Sequence, residues 1–192
     1  MGIQIEDGKG SGKIAAVNSE NRLTVVSETH SLQYHISRTY GHAYQVQSID
    51  TGITAKTQTI LHLKNISNTQ DLIITYIRMQ PVVTGTVPVI GTYFEIGVGA
   101  TLTSGGSTVT PINMNQSSGN VAPVIATGVD PTMGGTFTVI DKQYIESNGK
   151  EIVYNKEGSF ILGSNDTMGI RFTTGGTGET KARVSFLMVD RT

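Results

Sequence analysis

Hydrophobic and polar positions alternate with a period of two in several short runs of this chain, the spacing of strands that bury one face. In residues 42–49, Tyr44, Val46 and Ser48 fall on one face and Gln45 and Gln47 on the other. Residues 59–66 and 72–79 are apolar-rich runs on either side of the turn cluster Ser67-Asn68-Thr69-Gln70-Asp71. That arrangement predicts a hairpin whose Ile60, Leu61, Leu63, Ile73, Ile74 and Ile77 supply much of the core. His62, between Leu61 and Leu63, is expected to face solvent. Residues 92–103 read as another strand, with Tyr93, Phe94, Ile96 and Val98, in which Gly97 and Gly99 mark a bulge or a close backbone approach.

Residues 104–134 are rich in Gly, Ser, Thr, Asn and Pro and predict long loops with short strands near Val109 and across 121–126. Three further short strands are expected at 136–141, 151–154 and 160–162. The runs 168–173 and 182–189, joined through Thr174-Gly175-Gly176-Thr177-Gly178-Glu179, predict a closing hairpin. No run sustains a helical period with caps, and no repeat of fixed length is visible. About ten short strands separated by turn clusters predict an all-β fold, a β-sandwich of jelly-roll type, with a barrel as the alternative. Residues 1–28 read as an N-terminal arm, with a Gly-rich link at 8–13 and strand-like runs at 14–17 and 23–26. The sandwich domain is then 29–192.

Composition agrees. Charged residues are 15% of the chain, and Thr, Ser, Asn and 23 Gly take the place of helix formers. A net charge of −1 gives no basic footprint for nucleic acid. There is no Cys, so disulfides and thiolate chemistry are excluded. No apolar run approaches the roughly 20 residues that span a bilayer, and the opening has no signal-peptide pattern, so no membrane partner is expected.

Candidate chemistry is thin. Gly8-Lys9-Gly10-Ser11-Gly12-Lys13 lacks the upstream Gly and the following Ser/Thr of a phosphate-binding loop, and reads as a linker. His30, His35 and His42 lie near one another in sequence, but their spacing fits no zinc pattern. Asp130, Asp141, Glu146 and Asp166 could in principle pair as catalytic carboxylates, yet nothing in the sequence pairs them, and Asp130 and Asp166 suit turns. Asn65, Asn115 and Asn165 head N-x-[ST] triplets, which read as chance matches. Tyr34, Tyr40 and Tyr44 could form a shallow aromatic patch for sugar, although core packing or a subunit contact is the preferred use. No residue is assigned a catalytic, cofactor-binding or metal-binding role. The chain is expected not to be an enzyme, and no cofactor is called for.

The run from Ile5-Glu6-Asp7-Gly8 through Gly10, Gly12, Val17-Asn18 and Glu20-Asn21-Arg22-Leu23 resembles the opening of a group of tailed-bacteriophage virion proteins. That group shares I-E-D-G-x-G-x-G-x-x-A-x-V-(D/N)-x-E-N-(R/K)-L. Further parts of its pattern are met by His42-Ala43-Tyr44-Gln45-Val46, by Leu63-Lys64-Asn65 and by Asp71-Leu72, so the resemblance spans roughly residues 3–80. The second half matches only in style. The resemblance implies a virion structural protein assembled in the host cytoplasm, displayed in many copies and carrying no catalytic residues. Capsid decoration, a head fibre base and a neck or tail accessory are all open positions. The partners it implies are other virion proteins (capsid, portal, neck or tail) and further copies of the chain in a closed homo-oligomer such as a trimer. Sheet edges and the arm offer strand addition as a means of contact. The alternative is a carbohydrate- or receptor-binding module of a virion fibre, which would place a pocket or aromatic patch on the loops 104–134 or 174–179.

Overall fold

The alternation of residues 42–49 sets the first long strand of the structure. Tyr44, Val46 and Ser48 are buried, and Gln45 and Gln47 stay half-buried on the opposite face. The computed structural model describes residues 16–17, 23–24, 31–54, 56–84, 91–145 and 149–191. Two units are present, Met1–Ser31 and Leu32–Thr192. In the first, β1 (Ala16–Val17) pairs antiparallel with β2 (Leu23–Thr24). The Gly-rich link at 8–13 and most of the expected arm lie outside the described residues.

The second unit begins with a short helix, α1 (Leu32–His35), that runs on into a π-helical turn, Ile36–Tyr40. The strands follow: β3 (Ala43–Ile53), β4 (Thr57–Asn65), β5 (Gln70–Thr84) and β6 (Tyr93–Val98). A long connection carries β7 (Thr101–Ser104), β8 (Ser107–Thr108), β9 (Ile112–Asn113), β10 (Val124–Gly128) and β11 (Thr132–Gly134). Four long strands close the chain: β12 (Thr138–Tyr144), β13 (Ile152–Leu162), β14 (Thr167–Thr173) and β15 (Thr177–Asp190).

The pairing is nested. β3 pairs with β15, β4 with β14, β5 with β13 and β6 with β12, all antiparallel. β5 also pairs with β15, and β6 with β14. The result is an all-β sandwich of a five-stranded sheet, β13-β5-β15-β3-β9, and a six-stranded sheet, β12-β6-β14-β4-β10-β8. Without β8, β9 and β10, which the long connection adds to β3 and β4, the order is that of an eight-stranded jelly roll.

Two expected hairpins are corrected by this order. β4 and β5 lie in different sheets, as do β14 and β15. The turn clusters at 66–69 and 174–176 reverse the chain, but each also carries it across the sandwich. At the first corner the amide of buried Asn65 donates to the carbonyls of Gln70 (2.9 Å) and Leu162 (3.0 Å) and accepts from the Ser67 N–H (2.9 Å). These bonds tie the end of β4 to β5 and β13 of the facing sheet, a job a same-sheet turn would not require.

Smaller differences have local causes. The expected strand 92–103 divides into β6 and β7 at Gly99, whose φ of 87° breaks the pleat. The runs 151–154 and 160–162 are one strand, β13, interrupted by a bulge between Asn155 and Phe160. The helical turns of 32–40 are too short to show a period in the sequence.

The inner faces meet in one core. Tyr44 stacks on Phe186 (5.6 Å) and Phe94 packs on Phe172 (4.6 Å), among Ile60, Leu61, Leu63, Leu72, Ile74, Ile77 and Met79. Each such side chain contributes about 1.5–3 kcal/mol of burial. Of the expected core residues only Ile73 stands apart. It is half-buried in a second, small cluster with Ile36, Ala43 and Leu187.

Candidate interaction surfaces

Three features of the second unit stand out above a polar β surface. The first is the face of α1 and the π-helical turn. Only Ile36 of the turn is buried, while Tyr34 and Tyr40 remain exposed. Arg38 lies over the Tyr34 ring. Tyr40 stacks with His42 at 6.3 Å and meets His35 edge-on at 5.7 Å. Carbonyls at the end of the turn, Ser37 O already accepting from the Gly41 N–H (3.0 Å), also accept from asparagine amides of the long connection. Asn115 donates to Ser37 O (2.9 Å), Asn120 to Tyr40 O (2.7 Å) and Asn113 to Gly41 O (2.7 Å). Tyr40 therefore sits on a turn that is clamped from outside, and Tyr34 on the helix that leads into it. A cleft of about 250 Å³ beside it is lined by Tyr34, Ser37, Arg38, Met114 and Asn115.

The expected patch of three tyrosines is thus reduced to two, because Tyr44 obeys the alternation of β3 and enters the core. His35 and His42 both pack on Tyr40. No group of three or more His, Asp or Glu side chains is placed to hold a metal among the described residues, and His30 lies outside them.

The second feature is the seam where the outermost long strands, β12 and β13, run beside each other. Asp141 of β12 pairs with Lys156 of β13 (3.1 Å), and the Tyr154 hydroxyl donates to Gln143 (3.4 Å). Burial, and then the nearby Asp141 carboxylate, push the Tyr154 phenol up to about 12. Val139, Ile140 and Tyr144 of β12 and Val153 and Ile161 of β13 are exposed. The register places Val139 and Tyr144 on the outer face of the six-stranded sheet, opposite Gly97 and Tyr93, and Val153 and Ile161 on that of the five-stranded sheet, opposite Arg78 and Ile73. The far end of the seam opens into a cleft of about 460 Å³ lined by Val98, Gly99, Phe160, Ile161, Asn165 and Asp166. Bulges interrupt both edges, between Val139 and Asp141 and between Asn155 and Phe160. A partner at the seam meets apolar side chains more than a continuous ladder of free backbone groups.

The third feature is the outer face of the six-stranded sheet. Gly97, Gly169, His62 and Thr127 are opposed along one row of β6, β14, β4 and β10, and so project to the same side. The Phe137 ring lies on the two glycines, so a methyl at Gly97 would sit 2.4 Å from it and one at Gly169 3.0 Å. The Arg171 guanidinium lies over that ring, 3.7 Å from its centre. β7 and β11 pair with each other, and the residues that flank them, Ala100 and Phe137, lie against His62 and the two glycines of this row. His62 is consequently 1% exposed, which corrects its expected position in solvent, and neither of its ring nitrogens has a hydrogen-bond partner. The alternation was right about its face. What the local pattern could not show is the cover, which comes from residues 99–137.

The candidate carboxylates do not converge. Asp130 is bound by Lys56 (2.9 Å) and Gln58 (3.2 Å), Asp141 by Lys156, and Asp166 accepts from the Gly163 N–H (2.9 Å). Glu146 lies outside the described residues. Asn65, Asn115 and Asn165 all have structural places: the sheet corner, the helix clamp, and a turn position with φ of 64°.

No protein-family model matches this chain, and neither does any curated protein. Function must therefore be argued from the surfaces themselves. No helix among the described residues is long and apolar enough to cross a membrane.

Proposed function

We propose that this chain is a non-enzymatic structural component of a tailed-bacteriophage virion, working by protein–protein contacts as a capsid decoration or as a neck or tail accessory. The observation that carries the reading is the β12/β13 seam, where five apolar side chains, Val139, Ile140, Tyr144, Val153 and Ile161, stand exposed along adjoining edges. Edge strands that carry exposed apolar side chains offer a partner both an edge and apolar contact. The phage-like opening of residues 5–23 supports it further. So does the jelly-roll order, an architecture that recurs in viral capsid domains, although fold alone assigns no function. The partners are other virion proteins and further copies of the chain in a closed homo-oligomer, with a trimer as the simplest case, assembled in the host cytoplasm.

The test is the solution mass of the full chain by light scattering after size exclusion, beside an Ile140→Asp/Val153→Asp variant. A discrete oligomer that the variant dissociates is expected. A monodisperse monomer, or an oligomer indifferent to both substitutions, overturns the seam as its interface.

A second reading, the carbohydrate- or receptor-binding module of a virion fibre, draws on the clamped helix face. Tyr34, Arg38 and Met114 there offer a ring, a charge and an apolar contact beside a cleft. A glycan array separates the two. Specific binding abolished by Tyr34→Ala favours the module.

A further inference from the structure

We propose that the connection between β6 and β12 is a pH-sensitive latch, in which protonation of His62 releases the β7–β11 strap from the outer face of the six-stranded sheet. The inference is independent of what the particle or partner is.

The strap is poorly tied to what it covers. β7 and β11 form a two-stranded sheet of their own, bonded to neither main sheet. Thr103 Oγ1 donates to Thr132 O (2.8 Å), again within the strap. Two of its ends turn through Gly99 (φ 87°) and Gly135 (φ 74°), a backbone conformation open to glycine, and the other two run into β8 and from β10, which are paired in the six-stranded sheet. It is held to the sheet by side-chain burial: Phe137 on Gly97 and Gly169, Gly106 against Thr127, and the cover over His62 near Ala100.

His62 is an odd choice for that cover. An apolar side chain would bury its surface without leaving polar atoms unmet, whereas this ring buries two nitrogens with no partner. A buried polar group left unsatisfied is destabilising. The neutral ring is tolerated; burial penalises the cation, and only the Ala100 backbone is placed to offset part of that penalty. On β4 the next charge on that face is Lys64, of the wrong sign. On β14 it is Arg171, also cationic and seated on Phe137. Glu95 on β6 is engaged by Lys142 of β12 at 3.5 Å. Residues 124–128 of β10 carry no charge, and Asp130 beyond them is bound by Lys56. The strap, residues 99–106 and 131–137, has no titratable side chain. Burial accordingly lowers the His62 pKa. The Ala100 backbone opposes the shift, and Lys64 adds to it.

The sign follows. The closed state binds the proton less readily than the open state, where the imidazole is ordinary at about 6.5. Closure is fully favoured above that pH and is lost as pH falls below it. If the closed ring stays neutral, the opening constant rises about 25-fold from pH 7 to pH 5.

Hydrogen exchange of the full chain at pH 7 and pH 5, corrected for intrinsic rates, reads this directly. Amides of 99–106 and 131–137 should lose up to about 25-fold in protection, while β5 and β15 hold theirs, and His62→Gln should show no such fall. A wild-type change below about threefold, or an undiminished fall in His62→Gln, overturns the latch. Should His62→Gln fail to fold, the wild-type ring is titrated by NMR. A His62 midpoint below about 6.5 with strap protection lost in step supports the latch, and a midpoint at or above it overturns it.

Discussion

Asn65 is the residue on which the crossing from β4 to β5 depends, and its removal is the sharpest test of the fold. The side chain is fully buried and makes three hydrogen bonds, two donated to the carbonyls of Gln70 and Leu162 and one accepted from the Ser67 N–H. Asn65→Ala deletes all three; Gln70 O keeps its bond from the Arg191 guanidinium (3.2 Å), while the Leu162 carbonyl and the Ser67 N–H lose the amide they meet. At about 1 kcal/mol net per bond, with an added penalty for groups left unsatisfied, the expected loss is about 3–4 kcal/mol. Against a typical total of about 5–15 kcal/mol that is a large fraction. Urea unfolding followed by circular dichroism, at one fixed protein concentration, should show a lower midpoint with an unchanged slope. Asn65→Asp provides a control of the same shape. It keeps the bond from Ser67 but faces the two carbonyls with acceptor oxygens, so it should be as unstable at pH 7 and recover partly when acid returns a donor. A loss below about 1 kcal/mol in Asn65→Ala would refute the claim that the amide holds the corner.

Two further outcomes follow from local geometry and charge. Val129 is a β-branched residue with φ of 61° in the turn after β10 and is exposed, so Val129→Gly should relieve strain and raise stability by about 1 kcal/mol, read as a higher Tm. Tyr154 ionises at about 12 in the fold, above the ordinary value of about 10 in the unfolded chain. Its neutral form is thus favoured by folding: the contribution is complete below pH 10 and lost as pH rises from 10 towards 12. An ultraviolet phenolate titration should find a late-ionising tyrosine that Tyr154→Phe removes.

Strand positions were legible because they depend on neighbours two residues apart. β3 shows this in full, with Tyr44, Val46 and Ser48 inward. The same alternation excluded Tyr44 from a surface patch with Tyr34 and Tyr40, although proximity in sequence suggested one. Strand partners were not legible. The cluster Ser67–Asp71 signals a reversal equally well for a hairpin and for a sheet-to-sheet corner, and only the distant Leu162 carbonyl distinguishes the two. His62 failed for a related reason: its face could be read from Leu61 and Leu63, but its burial depends on Ala100 and Phe137, far along the chain. The seam was hidden in the same way, since Val139 and Val153 look like ordinary strand residues until β12 and β13 are known to be edges.

The nested order also bears on where this chain can carry function. From β3 to β6, and again from β12 to β15, each strand is followed by one in the opposite sheet. The corner between β4 and β5 is bound to both sheets through Asn65 and tolerates little change. The link from β6 to β12 is different, because both strands lie side by side in one sheet and a short turn would suffice to join them. What lies there instead, residues 99–137, builds the strap over His62 and supplies the asparagines that clamp the π-helical turn. Lengthening a surface connection costs little, about 0.6 kcal/mol per doubling. The connection is therefore where new surface can be added without disturbing the jelly roll, and two of the three candidate surfaces are made by it. Variation in activity or partner should accordingly track residues 99–137 more closely than the strands, while the seam, made of framework strands, should track assembly.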